Sequence, residues 1–260
     1  TQEVSTKIYD RNGILLYKIY KDKNRTIVPL TDIPMHVRMA TLAAEDAEFY
    51  NHPGFSLKGI LRAIGQNIQN KSLQGGSTIT QQLVKNVLLN SDRTVTRKIK
   101  EFILAVQIEA KYKKDDILLM YLNEAPYGGT AWGVESASET YFGKKVQDLD
   151  LVESAIIAGL PQSPSRYSPY SSTPKAYVTR TKDVLRRMRE DGYITKDQET
   201  SAVAALPNIG FQTRGADFKA PHFVQFVEKI LNERYGQAVV EQGGLKVTTT
   251  LDLALQEKAQ

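Results

Sequence analysis

The chain has 260 residues, 41% hydrophobic and 24% charged, a globular balance that excludes collagen-like, low-complexity and fully disordered classes. There are no cysteines, which removes disulfide frameworks, thiolate metal sites and cysteine nucleophiles, and the three histidines are too scattered for a histidine-rich metal site. Net charge is +5, and residues 85–114 alone carry eight Lys/Arg against three acids, so one basic stripe holds the whole surplus and points to an anionic partner. A solvated helix face explains the same stripe. The longest uncharged stretch, Thr200 to Thr213, is too short for a membrane-crossing helix, which needs about 20 apolar residues. With no signal peptide and no initiator methionine, the sequence reads as a piece of a longer chain.

In chain order, Lys7 to Val28 reads as a β-hairpin turning at Arg11-Asn12-Gly13. A connector, Pro29 to Pro34, leads into a helix from Met35 to Phe49, broken by Asn51-His52-Pro53-Gly54. A second helix is predicted near Leu57 to Gln69, followed by a turn at Gln74-Gly75-Gly76. Ser77 or Thr78 can cap the next helix, which places Ile79, Leu83 and Val87 on its buried stripe. Thr94 to Tyr112 reads as a longer helix with Ile99, Phe102, Ile103, Val106 and Ala110 inward. Further helices are predicted at 115–123, 131–142, 148–160 and 175–191, and Thr195-x-x-Gln198 is a capping box opening another. Pro161 to Pro174 and Pro207 to Pro221 are irregular. A helix at 222–235, a β-rich run from Lys246 to Leu251 and the start of a helix at Asp252 complete the chain. The expected organisation is an N-terminal hairpin and connector at 1–34, a helical domain at 35–206 and a linker region at 207–260.

Three clusters can carry chemistry. Glu45-Asp46-x-x-Phe49-Tyr50-x-His52-Pro53-Gly54 puts two carboxylates at a helix end, where aromatic and like-charged neighbours raise a glutamate pKa toward general-base use; a surface pair fits the same residues. Gly75-Gly76-Ser77-Thr78-Ile79-Thr80-Gln81-Gln82-x-x-Lys85 is a glycine turn opening a helix, suited to an anion yet lacking the GK[ST] of a Walker loop; a well-capped helix with a solvated lysine is the alternative. Arg97-Lys98-x-x-Glu101 shares one helix face, either as surface ion pairs or as a phosphate clamp beside a second carboxylate.

Taken in order, these clusters resemble the five motifs of glycosyltransferase family 51, the peptidoglycan glycosyltransferase domain of class A bifunctional penicillin-binding proteins. EDAEFYNHPG resembles the first, GGSTITQQ the second and RKIKE the third; KDDILLMYLN resembles the fourth, and Arg180-x-x-x-Val184-Leu185 the fifth. IYDRNG and GGLKVTTTLD resemble the flanks of that domain in bifunctional members. Ala125-Pro126-Tyr127-Gly128-Gly129 departs from the commoner bulky sequence there, which bears on a local acceptor contact. The transpeptidase KTG and SxN signatures are missing, so penicillin binding is not expected of this chain.

The resemblance implies a mainly α, lysozyme-like fold with a membrane-proximal small lobe and short β pieces near both termini. It also implies lipid II polymerisation into β-1,4-linked glycan with inversion and release of undecaprenyl pyrophosphate. Glu45 is then the base and Glu101 the second carboxylate. Lys85, Arg97 and Lys98 hold the pyrophosphate, and Asp46, Ser77, Gln81, Gln82, Arg93 and Arg180 line the substrate, while Asn123 is structural. No tightly bound cofactor is implied, although a divalent cation (Mg or Mn) can accompany the pyrophosphate. The implied partners are lipid II, the growing glycan, the membrane surface and moenomycin-type inhibitors, with no nucleic acid. The implied place is the outer face of the cytoplasmic membrane, anchored by an N-terminal transmembrane helix. Membrane contact is expected in the segment after Gly54, where Phe55, Leu57, Ile60, Leu61 and Leu73 mix with Lys58, Arg62 and Lys71. A lysozyme or lytic transglycosylase, a nucleic-acid binder and a cell-wall scaffold are the competing readings. The first has no use for a pyrophosphate clamp, the second none for Glu45 and Glu101, and the third predicts that Glu45→Gln changes nothing.

Overall fold

The computed structural model describes residues 4–55, 77–88, 94–173, 175–213 and 219–259. The predicted helix near Leu57 to Gln69, the Gly75-Gly76 turn and Arg93 lie outside them. Strands β1 (Thr6–Tyr9), β2 (Leu15–Ile19) and β3 (Asn24–Arg25) precede helices α1 (Met35–Glu45), α2 (Ile79–Leu88), α3 (Val95–Lys111) and α4 (Lys114–Glu124). Strands β4 (Pro126–Gly128) and β5 (Ala131–Trp132) follow, then α5 (Val134–Phe142), α6 (Leu151–Gly159), α7 (Pro164–Tyr167), α8 (Ala176–Glu190) and α9 (Lys196–Ala205). Helices α10 (Pro221–Tyr235) and α11 (Gln237–Gln242), strand β6 (Lys246–Thr248) and helix α12 (Leu253–Ala259) complete the chain. The fold is mainly α, as the sequence predicts.

The helical core is built around α1, α4, α6 and α8, with Val37, Ala40, Phe49, Leu118, Tyr121, Ile156, Val184, Leu185 and Met188 among its buried side chains. Helix α6 is buried almost all round and largely apolar because other helices cover it, and its start is fixed by a capping box between Asp150 and Glu153. The box predicted at Thr195 and Gln198 also forms.

The predicted hairpin forms as the antiparallel pair β1–β2, with Gly13 at φ +83° in its turn, where a side chain would strain the backbone. The C-terminal strand β6 joins it in parallel, giving the order β2-β1-β6. Both ends of the chain therefore share one sheet, and a second core of Ile8, Leu16, Ile19, Val224, Leu231, Val240 and Leu253 lies beneath it. Buried polar contacts tie β3 and the connector after it to the helices. Arg25 pairs with Glu124 at 2.7 Å, both almost fully buried, and removing one partner of such a pair costs about 3–5 kcal/mol. Asn123 takes the structural role expected of it: its side chain accepts from the Val28 N–H and donates to the Val28 carbonyl, both at 3.0 Å.

Three differences from the sequence reading stand out. The second sheet, β3-β5-β4, was not predicted, because strands of two or three residues are too short to show alternation. Helix α1 stops at Glu45, ahead of the predicted Phe49, and a short 3-10 turn carries Phe49 to Asn51. The third concerns α3. Ile99, Phe102, Ile103 and Val106, predicted inward, are 36–56% exposed, and Ala110 and, on α2, Val87 are exposed too. The helix seats Glu101, Ala105 and half-buried Ile108 instead, at spacings of four and three that form an equally good inward stripe. Gly54 closes on the Ala105 backbone and Thr80 of α2 donates to Glu109, which turns this side of the helix inward, and Arg97 and Lys98 offset the charge of Glu101 there.

Candidate active site

The site forms where α1 ends. Glu45 is the last residue of α1 and Asp46 its C-cap. The Glu45 carboxylate is buried and held by two donors: Gln82 Nε2 reaches Oε2 at 2.8 Å, and the Arg180 guanidinium lies 3.3 Å from Oε1. Gln82 is aimed by Tyr121, whose buried hydroxyl donates to its side-chain carbonyl at 3.3 Å. Burial raises the Glu45 pKa above the ordinary carboxylate range, against the opposing pull of Gln82, Arg180, Arg187 and Lys85. The sequence predicts this rise from aromatic surroundings and the like charge of Asp46, and burial is the leading cause.

Asp46, expected at the substrate, makes its bonds within the protein. Both of its oxygens accept from His52 Nε2 at 2.9 Å, and Oδ2 also accepts from the Ile79 N–H at 3.0 Å, so it ties the 3-10 turn to the start of α2. His52 Nδ1 accepts from the Gly54 N–H, which fixes the proton on Nε2. Thr78, one of the two predicted caps, closes a capping box with Gln81: Gln81 N–H donates to Thr78 Oγ1 and Thr78 N–H to Gln81 Oε1. Gln81, expected at the substrate, is buried in that role.

The basic stripe divides. Lys85 on α2 and Arg97 and Lys98 on α3 converge on Glu101, which is 2% exposed. Lys98 Nζ lies 2.7 Å from Glu101 Oε2 and 3.0 Å from Ser77 Oγ, and Arg97 Nε lies 3.2 Å from Oε1. The Lys85 pKa is lowered by desolvation and by Lys98 and Arg97, while Glu101 and Glu45 raise it, so this ammonium feels both carboxylates. Lys114 leaves the cluster, pairing with buried Glu109 at 2.8 Å and donating to the His52 carbonyl at 2.6 Å. Among the described residues the stripe thus holds one cationic cluster around Glu101 and one structural clamp, with Lys100, Lys111 and Lys113 exposed outside both.

Arg180, expected at the substrate, is 5% exposed and donates to the carbonyls of Ala44 and Gly159 as well as to Glu45. Its neighbour Arg187 also donates to Ala44 O, at 3.2 Å. Tyr121 and Arg187 are site residues that the sequence reading did not single out. Arg187 was findable: it follows Arg180 by seven residues, two turns along one helix face.

A model of the transglycosylase family matches residues 12–189 of the chain. Penicillin-binding protein 1A of Clostridium tetani is 39% identical over 276 residues, covering 97% of this chain and 35% of that protein. The Escherichia coli protein of the same name is 39% identical over 259 residues, covering 99% of this chain and 30% of that protein. The chain therefore spans about a third of the length of the relatives it matches. The crystal structure of penicillin-binding protein 1A from Haemophilus influenzae aligns with a TM-score of 0.53 at 25% identity, over 100% of this chain and 28% of that one. The first, third, fourth and fifth motifs and the end of the second are ordered around one carboxylate-and-cation site in a fold shared with that neighbour, and the chain belongs to the transglycosylases, glycosyltransferase family 51.

Proposed function

We propose that the chain is a peptidoglycan glycosyltransferase that polymerises lipid II. The supporting observation is the pairing of a buried, pKa-raised Glu45 with a separate cluster of Lys85, Arg97 and Lys98 around Glu101. A base and an anion clamp side by side fit a reaction in which a hydroxyl attacks and a pyrophosphate departs.

In this reaction the GlcNAc 4-hydroxyl of the acceptor lipid II attacks C1 of the MurNAc at the reducing end of the growing chain. The O4–C1 bond forms as the bond from C1 to the pyrophosphate oxygen breaks. The hydroxyl proton passes to ionised Glu45, and the leaving undecaprenyl pyrophosphate keeps the bonding pair. Attack from the opposite face turns the α-linked donor into a β-1,4 linkage. Gln82 and Arg180 hold the Glu45 carboxylate, each through one oxygen. Lys85, Arg97 and Lys98 offset the charge that grows on the pyrophosphate, with Ser77 beside Lys98. Glu101 keeps Arg97 and Lys98 together, which prevents two like charges from splaying when the cleft is empty. A divalent cation does not fit the donor set on the protein side: Asp46 has both oxygens engaged by His52 and Ile79, and Glu101 is paired with two cations.

Membrane contact, extracytoplasmic placement behind an N-terminal anchor and inhibition by moenomycin-type compounds belong to the same proposal. No helix among the described residues is long and apolar enough to cross a membrane. The outward apolar side of α3, with Ile99, Phe102, Ile103 and Val106 above exposed Lys98 and Lys100, suits interfacial insertion beside anionic lipid. The segment after Gly54 named for this contact is described only as far as Phe55, whose ring packs 4.9 Å from Phe102. In flotation with anionic vesicles, Ile103→Asp is expected to weaken binding about tenfold or more, the scale of losing one buried aliphatic side chain. Unchanged flotation would remove α3 from the membrane contact.

Turnover of fluorescent lipid II in detergent tests the reaction itself. A ladder of glycan strands is the expected product, whereas no consumption of lipid II, or its hydrolysis to free disaccharide, contradicts the proposal.

A further inference from the structure

The end of α1 is an unfavourable place for a reactive carboxylate. The last carbonyls of a helix lack intrahelical donors and carry the negative end of its dipole, which repels an ionised side chain there. Glu45 is the final residue of that helix and is buried as well. Something must oppose both effects if Glu45 is to ionise in working enzyme.

Helix α8 supplies it. Arg180 bridges three elements: its guanidinium lies 3.3 Å from Glu45 Oε1 and 3.3 Å from Ala44 O, its Nε donates to Gly159 O at 3.3 Å, and it pairs with Asp183 at 3.0 Å. Arg187, two turns on, donates to the same Ala44 carbonyl at 3.2 Å and sits 3.1 Å from the same Asp183. The packing keeps room for this arrangement, since a Cβ on Gly159 would stand 2.9 Å from Arg180 Cγ. Two guanidiniums thus cap one helix terminus and share one carboxylate that holds them. Neither geometry resembles an open anion site, because the donors of Arg180 are turned inward.

We propose that Arg180 and Arg187 are positioning residues for the base, capping the C-terminus of α1 and keeping Glu45 ionised and aimed at the acceptor. The inference rests on the reading of Glu45 as the base. Among the described residues, the charged and titratable groups around Glu45 come from several elements. Arg180 and Arg187 come from α8 and Lys85 from α2, Tyr121 from α4 and Tyr127 from β4, while Asp46 follows in the chain. Burial pushes both tyrosines upward, so they stay neutral where Glu45 titrates. Asp46 is occupied by His52, and exposed Lys85 remains in place when either arginine is replaced. Gln82 and Lys85 also favour the ionised form, but the arginines are the cations that meet the helix-end carbonyl of Ala44 as well, so they are the groups that link the cap to the charge state of Glu45.

The sign follows directly. A base must be ionised to act, so activity rises with pH through the Glu45 pKa, and loss of a nearby cation moves that rise to higher pH. Arg180→Met and Arg187→Met are expected to displace the acid limb by about one pH unit, a loss of about tenfold below it that recovers at higher pH. The KM for lipid II is expected to stay unchanged. Arg180→Lys, which keeps the charge, is expected to restore part of the displacement. The Glu45 carboxyl, followed by 13C NMR without substrate, is expected to titrate higher in both methionine variants. An unmoved limb with a uniformly lower rate, or an increase in KM at unchanged kcat, would overturn the inference and return Arg180 to a structural or substrate-binding role. If Arg180→Met does not fold, half-buried Arg187 carries the test. If the wild-type chain makes no polymer, the proposed reaction fails, and the substrate-free titration still decides the positioning role.

Discussion

Replacing Glu45 by Gln is expected to reduce strand synthesis by about 100-fold or more, the usual contribution of a general base, with the fold retained. Gln has nearly the same shape and keeps a carbonyl oxygen for one of the two donors, Gln82 or Arg180, that now hold the carboxylate. What it loses is the ability to take the acceptor proton. Circular dichroism and the melting temperature of the variant are therefore expected to stay close to those of the wild type while turnover collapses. Because burial raises the Glu45 pKa, the wild-type rate is expected to climb with pH at values above those of an ordinary glutamate. Equal rates in wild type and variant would move the base elsewhere, and Glu101 would be the next carboxylate to examine.

Asp46→Ala is expected to act through stability first. The Asp46 carboxylate joins three pieces of chain: the end of α1, the His52–Gly54 turn and the first N–H of α2. Alanine would leave the Ile79 N–H and His52 Nε2–H without their acceptor in a buried place, at about 1–3 kcal/mol each. A total of about 3 kcal/mol corresponds to a fall in Tm of roughly 6–12 °C for a chain of this size. Activity is expected to fall too, because Gln82 sits on the helix that Asp46 anchors and holds the base from it. Calorimetry separates the effects. An unchanged Tm with lost activity would instead give Asp46 the direct substrate contact that the sequence suggested.

These two neighbours show what a sequence can and cannot reveal. Glu45 and Asp46 stand together in a motif, and both look like catalytic carboxylates in one dimension. Their division of labour depends on donors from distant parts of the chain: Arg180 is 135 positions from Glu45, and Ile79 is 33 from Asp46. The helices were legible because apolar spacing and caps such as Thr195–Gln198 are local. The outward face of α3 was not, since its apolar residues and its Glu101–Ala105–Ile108 stripe satisfy helical periodicity equally well. Contacts from elsewhere in the chain decide between them: Gly54 closes on the Ala105 backbone and Thr80 donates to Glu109. The union of β1 with β6 was hidden for a related reason, as parallel pairing between the two ends of a chain leaves no short-range signal.

The anomeric configuration of the product tests the central claim most directly. With α-linked lipid II as substrate, the wild-type chain is expected to yield strands whose new linkages are β-1,4 by NMR, made by a single displacement at C1 with Glu45 as the base. Strands with retained α linkages would require a covalent glycosyl intermediate and contradict the assignment of Glu45 as the base of a single displacement.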